Sequence, residues 1–473
     1  MTFLFSPYRC TIIRGKTQSE MEDLLPFYAQ TVHKICPCNK SEFDQKCNNR
    51  LSLFFFKHQC YEDLPDSNKK TVRNHITEIM GKLLGLYYKA QDGDIYEADS
   101  CKHLNKYNDF PLFFKNICIH LQFPNASQKI KTISESISNR LKIRPLCFVV
   151  SLLYYAESQK ENLLLTKQEI GYYALNNLYV LQGKVSEKEV YEQIIKDRKE
   201  NIKHDKLKGS HDWQHINEMF NLLNLSNVTI SDSVYIWLNK DEMSAILEFI
   251  SYQKKSLFDM YKYKIEKREE QEQMNEDWGK YYGSIAPEIE LMETQFRYSS
   301  DTVVLSNDHP TKERGCVGLT TVELGDKGEA LVFKMEKERV RKYKERLVNK
   351  VLLLGKTKGL GYDISSIEAE MNLKFPEFAR YIEVKSTKRV TTPSLDENWS
   401  DSVNLTSKEW IAAAQYKEYY NIYRVYFTRE KIIIVIINNP YQKLQDNIID
   451  VYPTIYQMDF NSKAITYVQE EKA

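Results

Sequence analysis

Two carboxylates and an ammonium group sit on what reads as a pair of neighbouring strands. Asp363 lies in Gly361-Tyr362-Asp363-Ile364, and Glu383 and Lys385 lie in Arg380-Tyr381-Ile382-Glu383-Val384-Lys385-Ser386. Successive side chains of a strand alternate faces, so Glu383 and Lys385 share one side while Ile382 and Val384 turn toward a core. Together these groups are the minimum set for metal-assisted phosphodiester hydrolysis. Carboxylates hold a hard divalent cation through oxygen, and the lysine orients a water or offsets developing negative charge.

The flanking sequence must hold those groups in place. Gly325-Asp326-Lys327-Gly328-Glu329 precedes an apolar-periodic stretch that predicts a helix over Ala330 to Leu354, with Glu329 in its first turn, where the helix dipole favours an anion. Gly355 and Gly359-Leu360-Gly361 break that helix, Tyr362 to Ser365 forms the first strand, and a polar loop leads to the second, Arg380 to Thr387. A polar loop from Thr391 to Asn404 reaches Thr406-Ser407-Lys408-Glu409, a capping box that opens a helix over Trp410 to Tyr420. Ile422 to Phe427 and Lys431 to Asn438 close the sheet. The order α-β-β-α-β-β implies a small mixed sheet with a helix on each face.

This layout resembles the PD-(D/E)XK nuclease superfamily. The set Gly325 to Glu329, Gly361 to Ile364, Tyr381 to Thr387, Leu405 to Trp410 and Tyr420 to Val425 is similar to its branch known as the Protein NO VEIN C-terminal domain. The resemblance covers roughly the last third of the chain. It implies that Asp363 and Glu383 ligate Mg²⁺, with Mn²⁺ as a substitute, that Lys385 acts on the attacking water, and that Glu329 completes the metal shell. Gln415-Tyr416-Lys417-Glu418-Tyr419 matches the Gln-x-x-x-Tyr element of many members, which implies that Gln415 faces the site. No proline precedes Asp363; Tyr362 stands there, as in this branch. A second Glu-x-Lys, at Glu470-Glu471-Lys472, falls in a polar tail without a strand pattern.

The chain has 473 residues, enough for several domains, and 66 Lys+Arg balance 65 Asp+Glu, so any nucleic-acid site is a local patch. No apolar run approaches the roughly 20 residues of a membrane helix. Met1 to Pro7 lacks the pattern of a secretory leader, and the reading is a soluble, cytoplasmic protein with no membrane partner. Nine cysteines are scattered, which suits free thiols. Whether Cys36, Cys38, Cys47 and Cys60, near His33 and His58, bind zinc stays open, because Cys36-Pro37-Cys38 is tighter than an ordinary zinc knuckle.

Four segments are expected: residues 1–141, mostly helical; 142–250, winged-helix-like; 251–300, a charged, solvated helical linker; and 301–473, the nuclease core. The fold class is thus α+β and multidomain. The second segment rests on a helix over Pro145 to Ala156, capping boxes at Thr166 to Glu169 and Ser186 to Glu189, a helix over His215 to Leu223, and a hairpin of Val228 to Ile230 with Val234 to Leu238. Helices followed by a hairpin serve DNA reading or protein contacts. His211 and His215 share a helical face but lack the Glu and third ligand of a metalloprotease.

The expected function is a Mg²⁺-dependent endodeoxyribonuclease of a restriction or phage-defence system, type II or modification-dependent, cutting duplex DNA. Recognition is assigned to the first two segments, with a homodimer on DNA and a methyltransferase or defence-system partner as further expectations. The alternative is a partner-activated or catalytically silent DNA-binding adaptor.

Overall fold

The computed structural model describes residues 16–56, 59–159, 164–202, 210–285, 321–355, 360–370, 375–397, 399–452 and 456–472. Met1 to Pro7, His58 and the polar run before Thr311 lie outside them. The chain divides into two compact units, the second comprising Ser19–Phe27, Lys106–Phe110 and Leu319–Ala473.

The first unit is mostly helical and carries two small antiparallel sheets. β1 (Cys38–Asn39), β2 (Tyr87–Lys89) and β3 (Asp94–Glu97) are ordered β1-β3-β2. β4 (Leu165–Thr166), β5 (Thr229–Ser231) and β6 (Tyr235–Leu238) are ordered β4-β6-β5. In both sheets the first strand pairs with the third, helices intervene between first and second, and a hairpin follows, so one topology occurs twice. Helix Pro145–Ser158 is buried on nearly every side, as its unbroken apolar composition requires. Both capping boxes form: Thr166 and Ser186 accept from the backbone of Glu169 and Glu189, whose carboxylates reach back.

The charged segment expected to be solvated is instead packed. Helix Arg268–Tyr282 buries Met274, Trp278 and Tyr282 on one stripe, and Trp278 stacks on Tyr282 at 5.2 Å. The alternating charges occupy its other face, and an apolar residue about every fourth position decided the packing.

The second unit is built on a six-stranded mixed sheet. Its strands are β7 (Leu352–Leu353), β8 (Ile364–Ile367), β9 (Ala379–Lys388), β11 (Tyr420–Phe427), β12 (Lys431–Asn438) and β15 (Tyr467–Lys472), in the order β15-β12-β11-β9-β8-β7. Only β9 and β11 run parallel, and helix Ser407–Tyr416 lies within their crossover. β10 (Ser400–Leu405), β13 (Asp450–Tyr452) and β14 (Tyr456–Asn461) form a separate sheet, β10-β14-β13. Seven of the eight residues of β11 are buried, so the sheet is covered on both faces. One face packs Ile364, Ile382, Val384, Val425 and Ile434 under Val332 and Val340 of helix Thr321–Tyr343. The other packs Ile422, Val435 and Ile437 with Ala412 and Ala413 of helix Ser407–Tyr416 and with Val403, Met458 and Phe460 of the smaller sheet.

Several boundaries differ from expectation. The long helix runs over Thr321–Tyr343, so Gly325 and Gly328 lie inside it and Glu329 is in its body, not its first turn. A 3-10 turn, Glu345–Lys350, and β7 replace its predicted end. The expected Thr391 to Asn404 loop contains most of β10, because Val403 and Leu405 supply a buried face. Helix Ser407–Tyr416 stops before Tyr420, which opens β11. The tail bearing Glu470 to Lys472 is edge strand β15, recruited by the backbone of isoleucine-rich β12.

Candidate active site

β9 presents Tyr381, Glu383 and Lys385 to the face that carries helix Ser407–Tyr416, while Ile382 and Val384 enter the opposite core. Asp363 stands one residue before β8, its N–H donating to Ile382 O at 2.9 Å. Its Oδ2 accepts the Val384 N–H at 2.8 Å, and its carboxyl is within hydrogen-bonding reach of Glu383. Gly361 makes this turn feasible. Its φ is +79°, and a Cβ there would lie 2.6 Å from Lys408 O and 2.9 Å from Ala412 Cβ. The Tyr420 hydroxyl donates to Gly361 O at 2.9 Å and anchors the turn.

Lys385 Nζ is bound between two carboxylates, Glu383 Oε1 at 2.7 Å and Glu409 Oε2 at 2.8 Å. Its side chain is 22% exposed against 4% for Glu383, so the ammonium lies at the mouth and the carboxylate at the floor. Burial pushes the Glu383 carboxyl well above its ordinary range, and the negative charges of Asp363 and Glu409 add to it. Asp363 is raised by burial too, against the Val384 N–H and the Lys385 charge, which pull it down. Burial works against the Lys385 ammonium, yet Glu383 and Glu409 outweigh it and hold the amine protonated above the ordinary lysine range.

Glu329 reaches the same region from the body of the long helix. A Cβ on Gly328 would run into the Ser386 hydroxyl and sit 3.6 Å from Val384 Cγ1, so glycine lets the helix close on β9. A Cβ on Gly355 would collide with Glu329 Oε2 and lie 3.3 Å from Asp363 Oδ1, which sets those two carboxylates around one point. Gln415 is exposed near the end of helix Ser407–Tyr416, roughly 9 Å along the axis from Glu409. Glu409 is the residue of that helix that meets Lys385. The sequence marked it as part of a capping box and of the Leu405 to Trp410 motif, and neither assigned it to the site. Tyr362, Tyr381 and Tyr416 pack together, a contact the motifs did not foretell, with Tyr381 and Tyr416 ring centroids 4.0 Å apart. Tyr381 could have been found from its place two residues before Glu383 on the same strand face.

The donors here are all carboxylate oxygens, which suits a hard divalent cation. Among the described residues no group of three or more His, Cys, Asp or Glu side chains is arranged to hold an ion. A cation here would therefore rest on one or two carboxylates, with water and phosphate oxygens completing its shell, the ordinary habit of Mg²⁺. Cys36, Cys38, Cys47 and Cys60 are free thiols, and His33 pairs with Glu97 at 2.9 Å. The His211 side chain lies outside the described residues, and no helix among them is long and apolar enough to cross a membrane.

Residues 328–437 match the family model Protein NO VEIN, C-terminal, in agreement with the motifs. Residues 4–279 match the model Restriction endonuclease BpuJI - N terminal. Among solved structures, the chain is similar to a crystal structure of the BpuJ1 endonuclease binding domain in complex with pyrene- and phenanthrene-modified DNA. Identity is 35%, the match covers 59% of this chain and 98% of that one, and the TM-score is 0.54. No curated protein matches the chain. With more than half of its residues inside the first model and nearly the whole length of that binding domain covered, the chain belongs to the family of the restriction endonuclease BpuJI N-terminal domain.

Proposed function

We propose that this protein is a Mg²⁺-dependent endodeoxyribonuclease of a restriction or phage-defence system, in which the helical unit binds duplex DNA and the sheet unit cuts it. The carrying observation is the meeting of Asp363, Glu383 and Lys385 on neighbouring backbone segments, in a chain whose other part belongs to a restriction-endonuclease family. The DNA in the related binding-domain structure supports duplex DNA as the partner. The repeated strand order of the two small sheets supports a winged-helix-like reading of residues 142–250 and extends it to the segment before them. The part of the sheet unit read as a PD-(D/E)XK core is Leu319–Ala473.

In this reading Asp363 and Glu383 would hold the cation directly and Glu329 would complete its shell through a bound water; the cation, when bound, would stabilise charge on the scissile phosphate. Lys385 stands at the mouth, where its ammonium orients the attacking water. Asp363 is held by the Val384 N–H so that its carboxylate stays aimed at the site. Gln415, being exposed, is left with a phosphate contact at the rim. Cutting both strands calls for two sites, and we propose a homodimer on DNA.

The test is incubation of the purified protein with unmodified and methylated phage DNA, with Mg²⁺, Mn²⁺ or EDTA, read as fragments on a gel. Discrete bands that need the cation support a site-specific endonuclease, and substrate preference separates type II from modification-dependent action. Binding without cleavage would replace this reading with the partner-activated or silent adaptor.

A further inference from the structure

Glu409 has two structural connections that its capping motif does not require together. Its Oε2 accepts the Thr406 N–H at 3.0 Å, closing the capping box, and the same oxygen lies 2.8 Å from Lys385 Nζ. The side chain is 14% exposed and sits in the first turn of helix Ser407–Tyr416, a rigid element whose N-terminal dipole favours an anion there. Among the described residues the other carboxylate paired with Lys385 is Glu383, which the proposed reaction assigns to the cation. With Glu383 given to a cation, the lysine would keep, among the described residues, the carboxylate of Glu409 as its fixed partner.

We propose that Glu409 is the positioning residue of this site, holding the Lys385 ammonium in place from the capped helix while Glu383 serves the cation; this rests on the nuclease reading above. The lysine side chain is long and flexible, and an ammonium that must orient a water needs a fixed anchor. A capping carboxylate, whose own oxygen is tied to the backbone, is such an anchor. The same contact couples the helix to the chemistry through one oxygen: a change at the Glu409 carboxylate reaches Lys385 without touching the strands.

The experiment compares cleavage of duplex DNA by the full chain, its Glu409→Gln variant and its Thr406→Ala variant, with kcat and KM separated and thermal melting measured. Glutamine serves at the third position of a capping box, so Glu409→Gln keeps the helix start and removes the charge. Its kcat should fall about ten- to hundredfold with KM and melting temperature near wild type, as for the loss of a supporting partner of a site residue. Thr406→Ala deletes the cap bond to the Glu409 N–H but keeps the Thr406 N–H that holds Oε2. It should lower the melting temperature while leaving kcat within about twofold. Unchanged kcat in Glu409→Gln overturns the proposal, and so does a Thr406→Ala variant that reproduces the loss. A wild type that cuts nothing with Mg²⁺ or Mn²⁺ defeats the nuclease reading itself and this role with it; an active wild type with an equally active Glu409→Gln defeats only the role.

Discussion

Replacing Asp401 with alanine should unfold the second unit more readily than any surface change. Asp401 is 3% exposed, and its Oδ2 accepts from Arg424 Nε at 2.8 Å and from the Tyr426 hydroxyl at 2.6 Å. Arg424, 1% exposed, is the arginine of the Tyr-Arg-Val motif, and its Nη1 also reaches Ser386 O at 3.3 Å on the site strand. Two charges at that separation attract by about 6 kcal/mol at an effective dielectric near 20, and desolvation offsets much of it. Removing the carboxylate leaves the guanidinium buried without its partner, for which a loss of about 3–5 kcal/mol is expected. Against a total stability of about 5–15 kcal/mol that is about a fifth or more. Asp401→Asn, which keeps an acceptor, should lose about 2 kcal/mol. A double variant, Asp401→Leu with Arg424→Met, should recover at least half of the single variant's loss, because neither charge is then buried. Urea unfolding of each protein, followed by far-UV circular dichroism, supplies the measurement. A loss below about 1 kcal/mol for Asp401→Ala, or a double variant less stable than the single, would refute the view that this carboxylate compensates a buried arginine.

Asp363→Ala and Lys385→Ala should each abolish cleavage while leaving DNA affinity, measured by gel shift, nearly unchanged; cleavage that survives either change means the site lies elsewhere. Gly361→Ala forces a side chain into a φ of +79° and against Lys408 O, and should cost about 1–3 kcal/mol and most of the cleavage, since Asp363 sits two residues on. His120, 4% exposed with Nδ1 3.0 Å from Asn116 O, has its pKa pushed down to about 4, by burial first. A depressed histidine contributes stability that is present above its unfolded value near 6.5 and is lost as pH falls toward 4, about 3 kcal/mol in all. The urea midpoint of the wild type should therefore fall between pH 7 and pH 4.5 by more than that of His120→Gln; parallel falls would show that another group sets the acid limb.

Local chemistry accounts for what was legible without coordinates. Alternation along Ile382-Glu383-Val384-Lys385 places the carboxylate and the ammonium on one face, and the structure has the two 2.7 Å apart. The capping boxes at Thr166, Ser186 and Thr406 were readable because a Ser or Thr and the Glu three residues later satisfy each other within one turn. The β-branched run of β12 reads as a strand, and the structure buries Ile433 to Ile437 on both faces.

Tertiary structure alone decided the rest. Glu329 reaches the site from the body of a helix, because Gly328 lets that helix touch Ser386 on β9; a spacing rule sees only a glycine where a helix ought to begin. β10 and β15 are short or polar, and they became strands because backbones already in place offered them partners. Glu409 read as a cap within the Leu405 to Trp410 motif, with no role in the site, until the crossover between β9 and β11 brought its first-turn carboxylate to Lys385. The sequence determined which groups could do chemistry and which face of a strand they share, since both follow from neighbours a few residues apart. Which other carboxylates join them depended on contacts between segments far apart in the chain, and only packing against the sheet could select those.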